Sequence, residues 1–244
     1  MLTKALKYQF YKIKKSLFIC YACLLSSLII AVIFSSTPEY YKNILGGTDI
    51  TIIFAFSVGV VNTYENLGMF LQNGLSRKTL LYSYTISGMI MSMLMAFVYV
   101  VSLPVTEFVF KQESIFMTIY KGRYLGGSSL GNKCIDEFLW MAFVYMVAGM
   151  LGYFMGALYH RIAGKKQWVI FASCVLLCAI SLSVIDYKWT KGAIFKGIKE
   201  FIYYASGYNN GYNPYYFVVT SAIASITLGY LSYILLKKAT VKVV

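Results

Sequence analysis

The sequence predicts an all-α membrane protein with six transmembrane helices. A basic amphipathic helix precedes the first span, and a second, outer amphipathic helix lies between spans five and six. Three observations carry this reading. Of 244 residues, 59% are hydrophobic and 13% charged, where a soluble domain has roughly 25% charged residues. The apolar residues gather into runs near the roughly 20 that a helix needs to cross a ~30 Å hydrocarbon core. The net charge of +13 collects at the ends of those runs. That placement fits an orientation signal in a membrane rather than a nucleic-acid-binding face.

The first fifteen residues read as an interfacial helix, followed by a single six-span domain over residues 16–244. At 100° per residue, Leu2, Leu6, Phe10, Ile13 and Leu17 fall within an arc of about 80°. Lys4, Lys7, Lys12, Lys14 and Lys15 lie on the opposite side. Such a helix is expected in the headgroup plane, with its lysines toward anionic lipid. The basic region is too long for a cleavable signal, and the apolar run after it is long enough to span.

The expected spans are Leu17–Phe34, Gly46–Thr63, Thr79–Leu103, Phe138–His160, Gln167–Asp186 and Tyr215–Leu236. Basic residues set their orientation. Lys4 to Lys15, Arg77 and Lys78, Arg161, Lys165 and Lys166, and Lys237, Lys238 and Lys242 gather on one side, with Glu65 as the only acid nearby. Both termini are therefore expected in the cytoplasm. The connection Pro104–Glu137 is the longest, and the "GRYLGGSSLGNK" stretch within it reads as a flexible exposed loop. In the connection Asp186–Pro214, Ile194, Phe195, Ile198, Phe201 and Ile202 share one helical face. This is the outer amphipathic helix.

The segment "ENLGMFLQNGLSRKT", Glu65–Thr79, interrupts two apolar runs. Asn62 and Glu65 have capping-box spacing. Leu67, Phe70, Leu71 and Leu75 then recur on one face. The pattern predicts a short helix that restarts at the cytoplasmic surface, stops at Gly74 and leads through Arg77 into the next span. A plain turn needs no apolar stripe, so this helix is expected to rest on lipid or on a partner.

An acidic residue after the second span, a short helix, the Ser76–Arg77 pair and an immediate third span resemble the permease subunits of ABC-2 type exporters. "NGLSRKT" is similar to a form found in small bacterial permeases that export peptides or confer immunity to them. The resemblance covers the whole chain, although Pro104–Glu137 is longer than in many relatives. It implies a membrane subunit, not an enzyme, that moves an amphipathic peptide or lipid-like substrate outward. A second permease copy would pair with it, and ATP with its magnesium would be bound on a separate ATPase subunit. Glu65, Asn66, Leu67, Phe70, Leu71, Leu75, Ser76 and Arg77 would form the ATPase-coupling segment. Lys4, Lys7, Phe10 and Lys14 would belong to the interfacial helix, and Ile194, Phe195, Ile198 and Phe201 would form an outer gate.

The remaining residues are consistent with a chain that lacks its own nucleotide site. "AGKKQ" at Ala163–Gln167 has neither the upstream Gly nor the following Ser or Thr of a phosphate loop. A secondary transporter would carry ionisable residues at mid-membrane, and the middles of the six spans have none. A secondary transporter, whose sodium could be held by backbone carbonyls, and an accessory membrane subunit without an ATPase partner remain the alternatives. A single histidine and no paired carboxylates within a span argue against an embedded enzyme. Cys20, Cys23, Cys134, Cys174 and Cys178 read as thiols, not a metal site or disulfide framework. Met89, Met91, Met93 and Met95 scatter to opposite helix faces and read as packing residues. Ala148, Gly152, Gly156 and His160 recur every four residues, so one face of the fourth span is expected to pack closely on another helix, of the same chain or of a second copy.

Overall fold

A computed structural model describes residues 2–33, 47–110, 113–124, 130–162, 173 and 193–237. Among these residues the chain is all-helical: α1 Leu2–Ile33, α2 Gly47–Gln72, α3 Arg77–Phe110, α4 Ile115–Tyr124, α5 Leu130–Arg161, α6 Ala193–Ala205 and α7 Pro214–Lys237. Four stretches, Ile50–Gln72, Arg77–Pro104, Gly131–Arg161 and Pro214–Lys237, are long and apolar enough to cross a membrane. They match the expected second, third, fourth and sixth spans. The expected first span becomes the second half of α1. Apart from Ser173, the expected fifth span, Gln167–Asp186, lies outside the described residues.

Helix α5 is the spine of the bundle and packs against α2, α3, α4 and α7. Its contact with α2 is a backbone-to-backbone approach that only glycine allows. A Cβ at Gly152 would lie 2.1 Å from the Phe56 carbonyl oxygen, and one at Gly59 would lie 2.3 Å from the Gly149 oxygen. One turn on, a Cβ at Gly156 would lie 2.7 Å from Thr63 Cβ. The small-residue face of the fourth span thus packs closely, as its spacing predicts, and does so within the chain. The methionines divide as their helical angles require, with Met91 and Met95 in the core and Met89 and Met93 outside.

The core forms two clusters along α5. Toward its start, Phe116, Tyr120, Trp140, Met141, Tyr145 and Met95 pack together. Toward its end, Leu67, Phe70, Leu80, Tyr84, Tyr153 and Leu236 do so. Much of the connection Pro104–Glu137 is helical, including Gly122–Tyr124 and Leu130–Lys133 of the stretch expected to be a loop. Helix α3 continues past Pro104 to Phe110, and α4 and the first two turns of α5 occupy much of the rest. Ser114 caps α4, its Oγ accepting from the Met117 amide at 3.2 Å. Phe116 and Tyr120, one turn apart, are fully buried there.

Helix α1 corrects a second expectation. It runs unbroken from Leu2 to Ile33, with no separate interfacial helix over residues 1–15. It lies along α3 in the same direction: Gln9 meets Ser83 and Ser87, and the Tyr21 hydroxyl reaches the Met95 carbonyl at 3.5 Å. Ala5, Gln9 and Ile13 form the buried stripe, while Leu2, Leu6 and Phe10 are half-buried beside it. Lys4, Lys7, Lys14 and Lys15 point outward, together with Tyr8 and Tyr11. The apolar arc thus faces largely into the protein, and the Ser83 and Ser87 hydroxyls of α3 satisfy Gln9 at its edge.

Candidate functional site

The polar rim where α1, α2, α3 and α7 end together is the candidate site. Its centre is the α2–α3 turn. Helix α2 closes with Gly74 in the left-handed conformation, at φ +74°. The Gly74 amide donates to the Leu71 carbonyl and the Leu75 amide to the Phe70 carbonyl, each at 3.1 Å. This is a Schellman closure, and Leu75 packs back on the cluster that holds Phe70. Ser76 then caps α3, its Oγ accepting from the Thr79 amide at 3.1 Å. Arg77 donates to the carbonyl of Lys237 and so ties the start of α3 to the end of α7.

One helical turn back from that closure, α1 is tied to α2. The Lys12 ammonium pairs with the Glu65 carboxylate and also donates to Asn66 Oδ1 at 3.1 Å. Asn66 passes the contact inward, its amide donating to Asn62 Oδ1 at 3.3 Å. The Tyr84 hydroxyl donates to the Asn62 carbonyl at 2.6 Å. A second polar tie runs from Gln9, which donates to Ser83 Oγ at 3.2 Å and accepts from Ser87 Oγ at 2.9 Å. On the far side of α2, His160 Nε2 lies 3.3 Å from the Thr63 carbonyl and 3.1 Å from that of Tyr64. Both partners are acceptors, so Nε2 carries the proton and donates.

The predicted coupling residues separate into two sets. Glu65 and Ser76 are exposed, Leu71, Leu75 and Arg77 are half-buried, and Asn66, Leu67 and Phe70 are buried within this chain. Two corrections follow. Asn62 does not start a helix; it lies inside the unbroken α2, where Asn66 and Tyr84 take its polar groups. Leu67 and Phe70 are not free anchors, because they are buried in a core cluster shared with residues of α1, α3, α5 and α7. The outward face of this segment carries Tyr64, Glu65, Gln72, Asn73 and Lys78 instead.

Of the interfacial set, Lys4, Lys7 and Lys14 are exposed and Phe10 is half-buried. Of the outer set, Phe195, Ile198 and Phe201 are exposed on α6, and the Ile194 side chain lies outside the described residues. Helix α6 packs against the neighbouring α7. Sequence reasoning missed Gln9 and Lys12 as ties to the bundle. The available signal was Gln9 itself, a polar residue at the edge of the apolar arc.

The opposite end of the bundle carries a carboxylate clamp. Asp136 on α5 accepts 2.6 Å hydrogen bonds from the hydroxyls of Tyr124 on α4 and Tyr215 on α7. The Arg123 guanidinium lies over the Tyr215 ring at 5.8 Å. Burial and then the bond to Asp136 push the Tyr124 phenol above its ordinary range. Among the described residues no group of three or more His, Cys, Asp and Glu side chains is placed to hold a metal ion. No family model, curated protein or solved structure matches this chain.

Proposed function

We infer that the chain is the membrane-spanning permease subunit of an ATP-driven exporter. It moves an amphipathic peptide or lipid-like substrate outward with a second permease copy, and a separate ATPase subunit hydrolyses ATP. Both termini are cytoplasmic in this reading. The observation that carries it is the tie of Lys12 to Glu65 and Asn66, close to the α2–α3 turn. A push on that turn moves α1 and α2 together, and Arg77 passes it to α7. A turn so connected suits the transfer of force from a partner.

The ATPase contact in this reading is polar. Gln72, Asn73, Ser76 and Lys78 meet the partner, while Leu67 and Phe70 hold the turn rigid from beneath. Helix α6 lies at the outer membrane surface, where Phe195, Ile198 and Phe201 rest on lipid or on the second copy.

Site-directed cross-linking tests the assignment. With Asn73→Cys in an otherwise cysteine-free full chain, a short bifunctional reagent applied to native membranes should join it to an ABC-type ATPase, identified by mass spectrometry. Recovery of Asn73→Cys without any ATP-hydrolysing protein attached, from membranes in which the chain is assembled, removes the exporter reading.

A further inference from the structure

A pocket of about 40 Å³ lies inside the bundle where α1, α2, α3 and α5 meet. That is room for about three water molecules. Its lining mixes apolar residues such as Ile13, Val58 and Met150 with Tyr84, Ser87 and Tyr153. Two further lining hydroxyls, Ser92 and Tyr145, are hydrogen-bonded to the Met89 carbonyl and to Thr51 Oγ1, and the donor and acceptor count of the first three is unbalanced.

Tyr153 is 2% exposed, and its hydroxyl has no hydrogen-bond partner among the described residues. The Tyr84 proton is already used on the Asn62 carbonyl. Ser87 has one proton and directs it to Gln9 Oε1 at 2.9 Å or to the Tyr84 carbonyl at 3.2 Å. Tyr84 and Ser87 therefore offer the pocket lone pairs only, and Tyr153 offers a proton with nothing to receive it. An apolar occupant satisfies none of these groups. Water satisfies all three, by accepting from Tyr153 and donating to Tyr84 and Ser87.

We propose that this pocket is an internal water site, so that the middle of an otherwise apolar bundle is hydrated. The ligand is a cluster of about three waters, a number set by the pocket volume. Tyr153 is its donor and the Tyr84 and Ser87 oxygens are its acceptors. The position of the site gives it a consequence. The wall formed by α1 combines apolar packing at Ala5 and Ile13 with the polar ties of Gln9 and Lys12, which water can replace. The α2–α5 wall is glycine-packed backbone with no room for water. Hydration therefore favours movement at α1 and not at α2.

The test is hydroxyl-radical labelling of the full chain in lipid nanodiscs, read by mass spectrometry. Met91 and Met150 line the pocket, whereas the buried Met95 and Met141 do not and serve as internal controls. The expected result is oxidation of Met91 and Met150 at least several-fold faster than Met95 and Met141. Gly88 also lines the pocket, and a methyl added there meets no atom within 4 Å. Gly88→Ala should displace water and bring the Met91 and Met150 rates down toward the controls, with an unchanged melting temperature. Tyr153→Phe removes the donor and should do the same. Equal rates at all four methionines in the wild-type protein, or pocket rates that Gly88→Ala leaves unaltered, overturn the proposal.

Discussion

At the scale of single residues, the α2–α5 contact and the Asp136 clamp are the two most exacting places in the chain. A methyl at Gly152 would sit 2.1 Å from the Phe56 oxygen and 3.0 Å from the Val60 nitrogen, both backbone atoms that cannot step aside. Gly152→Ala is therefore expected to destabilise the bundle by about 1–3 kcal/mol. Gly131→Ala, in the same helix with nothing within 4 Å of the added methyl, should be neutral or slightly stabilising. Thermal unfolding in detergent compares the two directly. Asp136 accepts two hydroxyl protons as a carboxylate. Asp136→Asn keeps one acceptor oxygen, removes the charge and leaves one tyrosine without its partner. A loss of about 1.5–3 kcal/mol follows from the strength of hydrogen bonds to charged groups, with Tyr124→Phe predicted to cost less because it leaves the Tyr215 bond in place. Equal melting points for wild type and Asp136→Asn would show that the clamp contributes nothing to stability.

At the scale of elements, the α2–α3 turn separates a structural face from an exposed one. Phe70 is 4% exposed inside the second core cluster, and Phe70→Ala should cost about 3–5 kcal/mol, seen as a lower melting temperature of the isolated chain. Asn73→Ala loses only a side-chain bond to the Met69 carbonyl at the surface and should leave that temperature within a few degrees. On the exporter reading, Asn73→Ala is the variant that reduces recovery of the ATPase. The reverse pattern, with Phe70→Ala stable but uncoupled, would restore Leu67 and Phe70 as partner anchors. How much of this was legible in the sequence depends on the element. The apolar runs of α2, α3, α5 and α7 could be read because length and hydropathy are local properties, and Gly152 and Gly156 announced a close helix contact through their spacing. The direction in which Leu67 and Phe70 face could not be read. A stripe at helical spacing looks the same whether it meets a partner or its own chain, and α1, α5 and α7, distant in sequence, settle it. The extent of the helices was obscured for a similar reason. Polar residues such as Asn62, Asn66 and Asp136 resemble helix ends in sequence, but here their groups are met by Lys12, Tyr84, Tyr124 and Tyr215 from other helices.

At the scale of the whole molecule, the two ends of the bundle differ in chemistry, with lysines, Glu65 and His160 at one and the tyrosine-clamped Asp136 at the other. On the exporter reading, the first end faces the cytoplasm, in line with the charge bias of the sequence. In a cysteine-free background, Lys4→Cys and Asn73→Cys should be protected from an impermeant thiol reagent added to intact cells, while Lys121→Cys and Lys199→Cys should react. Labelling of Asn73→Cys from outside would invert the proposed topology and, with it, remove the exporter reading's ATPase contact. The central place of α5 also bears on how the chain is made. Synthesis delivers α2 and α3 first, and 51 residues separate Phe110 from Arg161. At roughly 5–20 residues per second, α5 is complete about 3–10 s after α3. Throughout that interval the grooved side of α2 around Gly59 and Thr63 has no helix to receive, and the nascent chain depends on the insertion machinery to shield it. Chains halted before Leu130 should therefore be degraded faster than chains halted just after Arg161, even though both contain the same first three long helices. For α2, that interval of exposure closes with the arrival of one late helix.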